Sequence, residues 1–341
     1  MCTSRFPWAG LAAAAARVDL WGVIATLGGV AAAASATPAA WAVAGLPFDL
    51  LKLLRVPESD PRALVPTDAE WPGALIGQPF APVLLTTEGD RSLLTRPAVA
   101  VVGARACTPY GLEQARDLAR AVAVAGGVVV SGLARGIDRE AHLAAPGATV
   151  AVLGQGLDSP MPHWQATLRA RVLSDGGLVV SEFPPGLPAD VWTFPVRNRI
   201  VAGLARAVVV VEAGHRSGAK GTAGHALRLG KEVLAVPGPL GAPASAGCLD
   251  LIEDGATMVR GRDTVLQAAS LARSGAPPPG RDPSDQTDAV AAALGVGNTA
   301  EGVMATTGMP FGEVTAALVG LVLQGRAQRV AGNRFVPSGR P

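Results

Sequence analysis

The feature that most limits how this chain can fold is a series of short apolar runs, most of which stop at glycine or serine. They occupy residues 98–102, 128–131, 149–153, 178–181, 207–211 and 232–236, with a shorter one at 256–259. Each is too short for a buried helix and is apolar at consecutive positions, so both of its faces must be covered. The stretches between them carry helical spacing instead, as in Leu112, Ala115, Leu118, Ala119 and Val122. Buried strands separated by helices specify an α/β protein with a doubly wound, mostly parallel sheet and helices on both faces. In such a sheet, ligands meet the carboxyl ends of the strands near the point where the strand order reverses.

The strand-bearing block covers residues 97–272, and the sequence changes character on either side of it. Residues 1–60 read as an Ala-rich helical region, with no charged residue from Leu20 to Phe48. Ala33-Ala34-Ser35-Ala36 resembles a signal-peptidase site, but Asp19 adjoins the apolar run and Pro38 interrupts it. Small helices packed on one another fit this composition better than export or a membrane span. Residues 61–96 are expected to be a connector with little regular structure, apart from a strand at 83–85. A Pro/Gly/Asp/Ser linker follows the block at 273–285. Residues 286–338 then give helices at 287–294, 299–307 and 310–324 and β segments around Arg329-Val330 and Arg334-Phe335-Val336, the order of a winged-helix domain.

Bulk chemistry narrows function only by exclusion. With 49% hydrophobic and 16% charged residues the chain is not disordered. Lys+Arg 29 against Asp+Glu 27 leaves a net charge of +2, so a polyanion has to be held by a local patch. Cys2, Cys107 and Cys248 are far apart and show no metal-ligand spacing, which favours a reduced, cytoplasmic setting without a zinc site.

Local patches of that kind recur where the strands end. The first is Gly103-Ala104-Arg105. The second is Ser131-Gly132-Leu133-Ala134-Arg135-Gly136-Ile137-Asp138, with His142 a turn later. Another is Glu212-Ala213-Gly214-His215-Arg216-Ser217-Gly218-Ala219-Lys220. Just before the run at 207–211 stands Phe194-Pro195-Val196-Arg197-Asn198-Arg199. Glycine and serine at a strand-to-helix turn leave backbone N–H groups for an anion, and each loop adds a cation. For Asp138 and His142 the favoured reading is structural, as an acid in a first helical turn and a packed histidine. Catalysis finds less support: there is no HExxH, no G-x-S-x-G, no G-x-G-x-x-G, and residues 218–222 are too short for a phosphate-binding P-loop. Together these loops read as a phosphate or nucleic-acid site rather than an enzyme, and no cofactor is expected.

The motifs follow one another in an order that strongly resembles the DNA processing protein A (DprA/Smf) family. They are Val-Val-Gly103-Ala-Arg105, Ser131-Gly-Leu-Ala-Arg135-Gly-Ile-Asp138, Ser181-Glu182-Phe-Pro-Pro-Gly186, Phe194-Pro-x-Arg197-Asn198-Arg199 and Ser217-Gly218. The resemblance covers about residues 70–260, and the tail resembles the winged helix that many members carry. It implies an extended Rossmann-like fold that binds single-stranded DNA, dimerises, protects incoming strands during natural transformation and loads the RecA recombinase. The DNA pocket it implies comprises Gly103, Arg105, Ser131, Gly132, Arg135, Arg197, Asn198, Arg199, Ser217, Gly218 and, as an added phosphate contact, Lys220. Phe194-Pro195 is expected to open a short helix with both arginines on its N-terminal turn. Because neighbouring residues cannot share one helix face, one arginine is expected at DNA and the other paired with Glu182 or Glu212.

Two departures from the family pattern bear on function. Lys220 stands where the family loop is usually apolar, and Met161-Pro162-His163-Trp164-Gln165 lacks a stacking tyrosine for which Trp164 can substitute. Residues 218–225 are also similar to a Gly-Gly-x-Gly-Thr-x-x-Glu loop of lysine-decarboxylase-like nucleotide phosphoribohydrolases, but His225 replaces the carboxylate that cleavage of an N-glycosidic bond requires. In the winged helix, Arg326, Arg329, Arg334 and Arg340 would suit duplex DNA. The helix before them offers only Glu313, Thr315 and Gln324, which leaves protein contact open beside DNA binding.

Overall fold

The structure, a computed structural model, describes residues 18–47, 60–271, 283–294, 299–307, 309, 311–330 and 334–338. The rest of the expected 1–60 region, residues 273–282 of the expected linker, and Arg340 lie outside the described residues. The chain divides into two compact units, Met1–Ser274 and Gly275–Pro341.

Among the described residues, three short helices come first in this unit, α1 (Leu20–Thr26), α2 (Val30–Ser35) and α3 (Pro38–Val43). Pro38 starts α3 because its fixed φ suits the first helical position, and the Thr37 hydroxyl caps it by accepting from Ala40 N at 3.2 Å. The buried Trp41 indole donates to the Ala33 carbonyl at 3.2 Å and ties α3 to α2. Among the described residues no helix is long and apolar enough to cross a membrane.

A nine-stranded sheet forms the body of this unit. In chain order its elements are β1 (Ala63–Leu64), β2 (Leu85–Gly89), β3 (Ala98–Val102), α4 (Pro109–Val124), β4 (Val128–Ser131) and α5 (Ile137–Ala144). Next come β5 (Thr149–Val152), α6 (His163–Ser174), β6 (Leu178–Ser181), α7 (Thr193–Leu204), β7 (Ala207–Val210) and α8 (Gly218–Arg228). The last are β8 (Glu232–Ala235), α9 (Ala246–Glu253), β9 (Thr257–Met258) and α10 (Arg262–Ala268). The spatial order is β1-β2-β6-β5-β4-β3-β7-β8-β9, parallel from β6 to β9. Consecutive side chains of the central strands enter opposite cores. Ala98, Ala100 and Val102 pack with Ile200 and Val201 of α7 and Ala223 of α8, whereas Val99 and Val101 pack with Leu118 and Val122 of α4. That is the double covering the apolar runs require.

Residues 61–96, expected to be a connector with little regular structure, instead extend the sheet. β2 lies antiparallel to β6, and β1 antiparallel to β2. The strand expected at 83–85 begins only at its last residue and runs on through Thr86, Thr87 and Glu88. Apolar alternation does not mark this edge. Hydrogen bonds hold it: the Thr86 hydroxyl donates to Ser181 O at 3.0 Å and the Thr87 hydroxyl to Arg62 O at 2.9 Å.

The second unit comprises α11 (Pro283–Ala293), α12 (Ala300–Thr307), α13 (Phe311–Leu323) and a hairpin of β10 (Ala327–Val330) with β11 (Arg334–Pro337). Val314, Leu318 and Leu321 of α13 face Val290, Val303 and Ala327 in one buried cluster. The apolar stripe of that helix therefore builds the core. Thr299 also bridges to Arg334, which adds a third antiparallel partner to the wing.

Candidate nucleic-acid interface

The sheet reverses its order between β3 and β7, since β4, β5 and β6 step away on one side and β8 and β9 on the other. A cleft of about 540 Å³ opens there. Its wall comes from the loops after β3, β4 and β7 and from the first half of α7, and includes Gly103, Arg105, Gly132, Asp138, Phe194, Pro195, Arg197, Asn198, Arg216, Ser217 and Gly218. The position is the one at which open α/β sheets hold ligands.

Buried carboxylates hold the loops in place. Glu212, at the end of β7, reaches under α4, where its Oε2 accepts from Thr108 N at 2.9 Å and its Oε1 from the Thr108 hydroxyl. The backbone joins the same two loops, with Ala104 N donating to Glu212 O at 2.7 Å. In the turn after β4, Asp138 Oδ2 accepts from Gly132 N at 3.0 Å, and His142 Nε2 accepts from Leu133 N at 3.3 Å. The Thr149 hydroxyl donates to Val129 O at 3.1 Å, so its oxygen accepts from His142 Nδ1–H at 2.7 Å, which fixes the neutral tautomer. Burial, helped by the Arg197 charge, pushes His142 down to about 3. The structural reading of Asp138 and His142 thus has its physical basis. Their acceptors also consume two of the backbone N–H groups that the Ser-Gly turn had promised to an anion. Gly136 turns the chain into α5 at φ +75, and a β-carbon there would lie 2.3 Å from Ala104 O.

Arg197 is the cation at the floor of the cleft. It is 4% exposed, donates from Nη1 to Val152 O, and has a buried Nε without a partner. Burial pushes its guanidinium down to about 10 while the Asp138 carboxylate counters, so it remains charged at neutral pH. Burial likewise pushes Asp138 up, and Arg197 opposes that shift. Arg105 stands at the rim with its guanidinium 5.2 Å from the centre of the Phe194 ring.

Seven of the expected residues line the cleft: Gly103, Arg105, Gly132, Arg197, Asn198, Ser217 and Gly218. Four do not. Ser131 is buried, with its hydroxyl donating to Val101 O at 2.7 Å. Arg135 lies over the Trp164 ring at 4.9 Å, away from the cleft lining. Lys220 is drawn to Asp250 at 2.8 Å. Arg199 pairs with Glu182, both largely buried, on the other side of α7. Of the two expected partners it is Glu182 that pairs, while Glu212 is engaged at Thr108.

The helix itself starts earlier than expected. α7 begins at Thr193, where Thr193 N donates to Asp190 O at 3.1 Å and the Thr193 hydroxyl accepts from Asp190 N at 3.1 Å. Arg197 and Arg199 are therefore in the second turn, where backbone N–H groups are already used inside the helix. The side chains alone carry the positive charge there. The cleft wall also includes Arg216, a cation of one of the expected anion-binding loops, together with Phe194 and Asp138, which were not among the expected DNA-binding residues. Among the described residues no three His, Cys, Asp or Glu side chains come together as a metal site.

Known proteins resemble this chain over the same region. Protein Smf of Escherichia coli (strain K12) is 44% identical over 208 residues, which are 60% of this chain and 56% of that protein. The DNA processing protein DprA of Streptococcus pneumoniae (strain ATCC BAA-255 / R6) is 43% identical over 189 residues, 54% of this chain and 66% of that protein. The chain thus spans little more than half the length of the E. coli relative. An X-ray structure of DprA from S. pneumoniae matches with a TM-score of 0.57 and 37% identity, covering 68% of this chain and 82% of that one. The Helicobacter pylori protein, whose structure was described for its single-stranded DNA binding mode, matches with a TM-score of 0.55 and 28% identity over 60% of this chain and 94% of that one. The DprA winged helix domain matches residues 274–333. The family described as DNA recombination-mediator protein A matches residues 62–270, the whole sheet with its switch-point cleft, and the chain belongs to that family.

Proposed function

We propose that the switch-point cleft binds single-stranded DNA. The observation that carries this reading is the pairing of close backbone approach with committed acids. Gly103, Gly132 and Gly218 open the wall beside Arg105, Arg197 and Arg216. The carboxylates of Glu182, Glu212 and Asp250 meanwhile bond to Arg199, to Thr108, and to Lys220 with His215. Asp138, the acid in the cleft wall, is itself engaged by Gly132 N and lies against the Arg197 charge, so a phosphate would meet cations there without facing a free acid, and Phe194 offers a ring on which a base can stack. A cleft of about 540 Å³ holds a few nucleotides of one strand and is too small to take in a duplex.

In this reading the protein shields incoming single strands in the cytoplasm and passes them to RecA during natural transformation and recombination, acting as a homodimer and not as an enzyme. Family membership supports these roles. The nucleotide-hydrolase reading is weaker, because His225 replaces its carboxylate and lies in a different cavity from the cleft. Competition between a labelled oligothymidylate and unlabelled duplex tests the proposal. Single strands should win, with affinity falling steeply as salt rises. Equal competition by duplex would reject it.

A further inference from the structure

Helix α7 separates two cavities. Arg197 floors the switch-point cleft on one side, and on the other side Arg199 lines a second cavity of about 640 Å³. We infer that this second cavity is a nucleotide subsite for the same DNA strand, receiving an unpaired base and its phosphate after the strand crosses Pro195. The inference rests on the single-strand reading of the cleft.

Continuity comes first. Pro195 lines both cavities, and Phe194 beside it stacks under Arg105 at the cleft rim. A strand leaving the cleft along this ridge meets the second cavity next. Its chemistry matches what a nucleotide offers. Phe80, Pro82 and Leu229 supply an apolar wall, while Arg199 and Arg228 supply cations. Phe80 is 48% exposed as a residue, and its backbone is held at φ +57, a conformation uncommon for a bulky residue. Such a ring is available for stacking rather than spent on the core.

The cations are only partly satisfied. Glu182 takes one side of Arg199, and the buried Arg199 Nη1 has no hydrogen-bond partner. Arg228 rests on His225 Nδ1 at 2.9 Å. Burial, then the charges of Arg228 and Arg199, push His225 below its ordinary value, so the imidazole does not compete as a third cation. Arg228 is thereby held at the cavity by a neutral acceptor that a phosphate oxygen can replace. A cavity of this size holds a drug-sized ligand, which a single flipped nucleotide matches.

The test compares oligothymidylates of about four and about ten nucleotides, the shorter filling the cleft and the longer reaching past Pro195. The readout is the ratio of their affinities. In the wild-type protein the longer strand should bind about tenfold tighter, and Phe80→Ala and Arg228→Ala should each bring that ratio most of the way to the level set by extra binding registers alone. Both positions are exposed enough for the variants to fold. A 5-iododeoxyuridine in the distal half of the longer strand should crosslink to Phe80. An unchanged ratio in both variants, with no crosslink, would overturn the subsite. So would an acidic peptide that binds the wild-type protein but not Phe80→Ala while the ratio stays put, because the cavity would then belong to a protein partner. Arg105→Ala separates the two ideas: it should weaken both lengths alike, and normal binding of both would mean that the cleft reading itself has failed.

Discussion

Gly132 lies flush against the guanidinium of Arg197, so that a β-carbon at residue 132 would stand 2.2 Å from Nη1 and 2.5 Å from Nη2. The arginine cannot move aside without giving up a buried contact. Its side chain is buried, and Nη1 is already bonded to Val152 O. The glycine after β4 is required by the arginine on α7, two elements that meet only once the sheet has folded.

Gly132→Ala is therefore expected to cost about 1–3 kcal/mol, as overpacking of a closed site does. It should also weaken binding of single-stranded DNA by displacing Arg197. Urea unfolding and oligonucleotide titration of the variant check both effects. Unchanged values in the two measurements would mean that the loop yields freely.

A second expectation concerns pH. The folded state holds His142 neutral at about 3, against an ordinary value of 6.5. Between those values the unfolded chain binds the proton and the folded chain does not. The stability tied to this group is thus present above about pH 6.5 and is lost as pH falls toward 3. Asp138 and Glu182, both pushed up by burial, act in the opposite sense over the acid range. Comparison with a variant isolates the histidine. His142→Gln should be less stable at neutral pH and should lose less of its remaining stability between about pH 7 and pH 5 than the wild type. Parallel pH profiles for the two proteins would contradict the assignment.

The third lies at the far end of α7. The Lys231 ammonium donates to the carbonyls of Ala202, Gly203 and Ala205 at 3.0, 2.6 and 2.7 Å, closing the helix C-terminus that a free chain end would leave open. Lys231→Met keeps the aliphatic stem and removes the donors. A loss of about 1–3 kcal/mol in urea unfolding is expected. A stability equal to that of the wild type would show that water replaces the ammonium without penalty.

Much of this architecture was readable from the amino-acid sequence, and the exceptions share a cause. The strands β3 to β8 are apolar on both faces, so burial alone announces them. β2 is not: Thr86, Thr87 and Glu88 look like a loop until Ser181 and Arg62 supply their hydrogen-bond partners from distant parts of the chain. The site divides along the same line. Gly103, Arg105, Gly132 and Arg197 stand at strand ends or on the helix that crosses them, and the doubly wound pattern brings them together. Lys220 and Arg199 carry the same charge and occupy equally suggestive positions in the early turns of helices beside the strand ends. The sequence left Glu182 and Glu212 open as partners of one arginine and offered none for Lys220; the folded arrangement puts Glu182 on Arg199 and Asp250 on Lys220. A cation's sequence neighbours do not tell which carboxylate long-range packing will deliver to it.

The central claim, that the cleft between β3 and β7 is where single-stranded DNA is held, turns most directly on Arg105, the rim cation whose removal leaves the buried floor intact. The measurement is the affinity of wild-type protein and Arg105→Ala for an oligothymidylate across a series of salt concentrations. The account predicts weaker binding by the variant and a slope against log salt shallower by about 0.7, as expected when one fewer phosphate of a single strand is neutralised. An affinity and a salt slope equal to those of the wild type would place the DNA elsewhere.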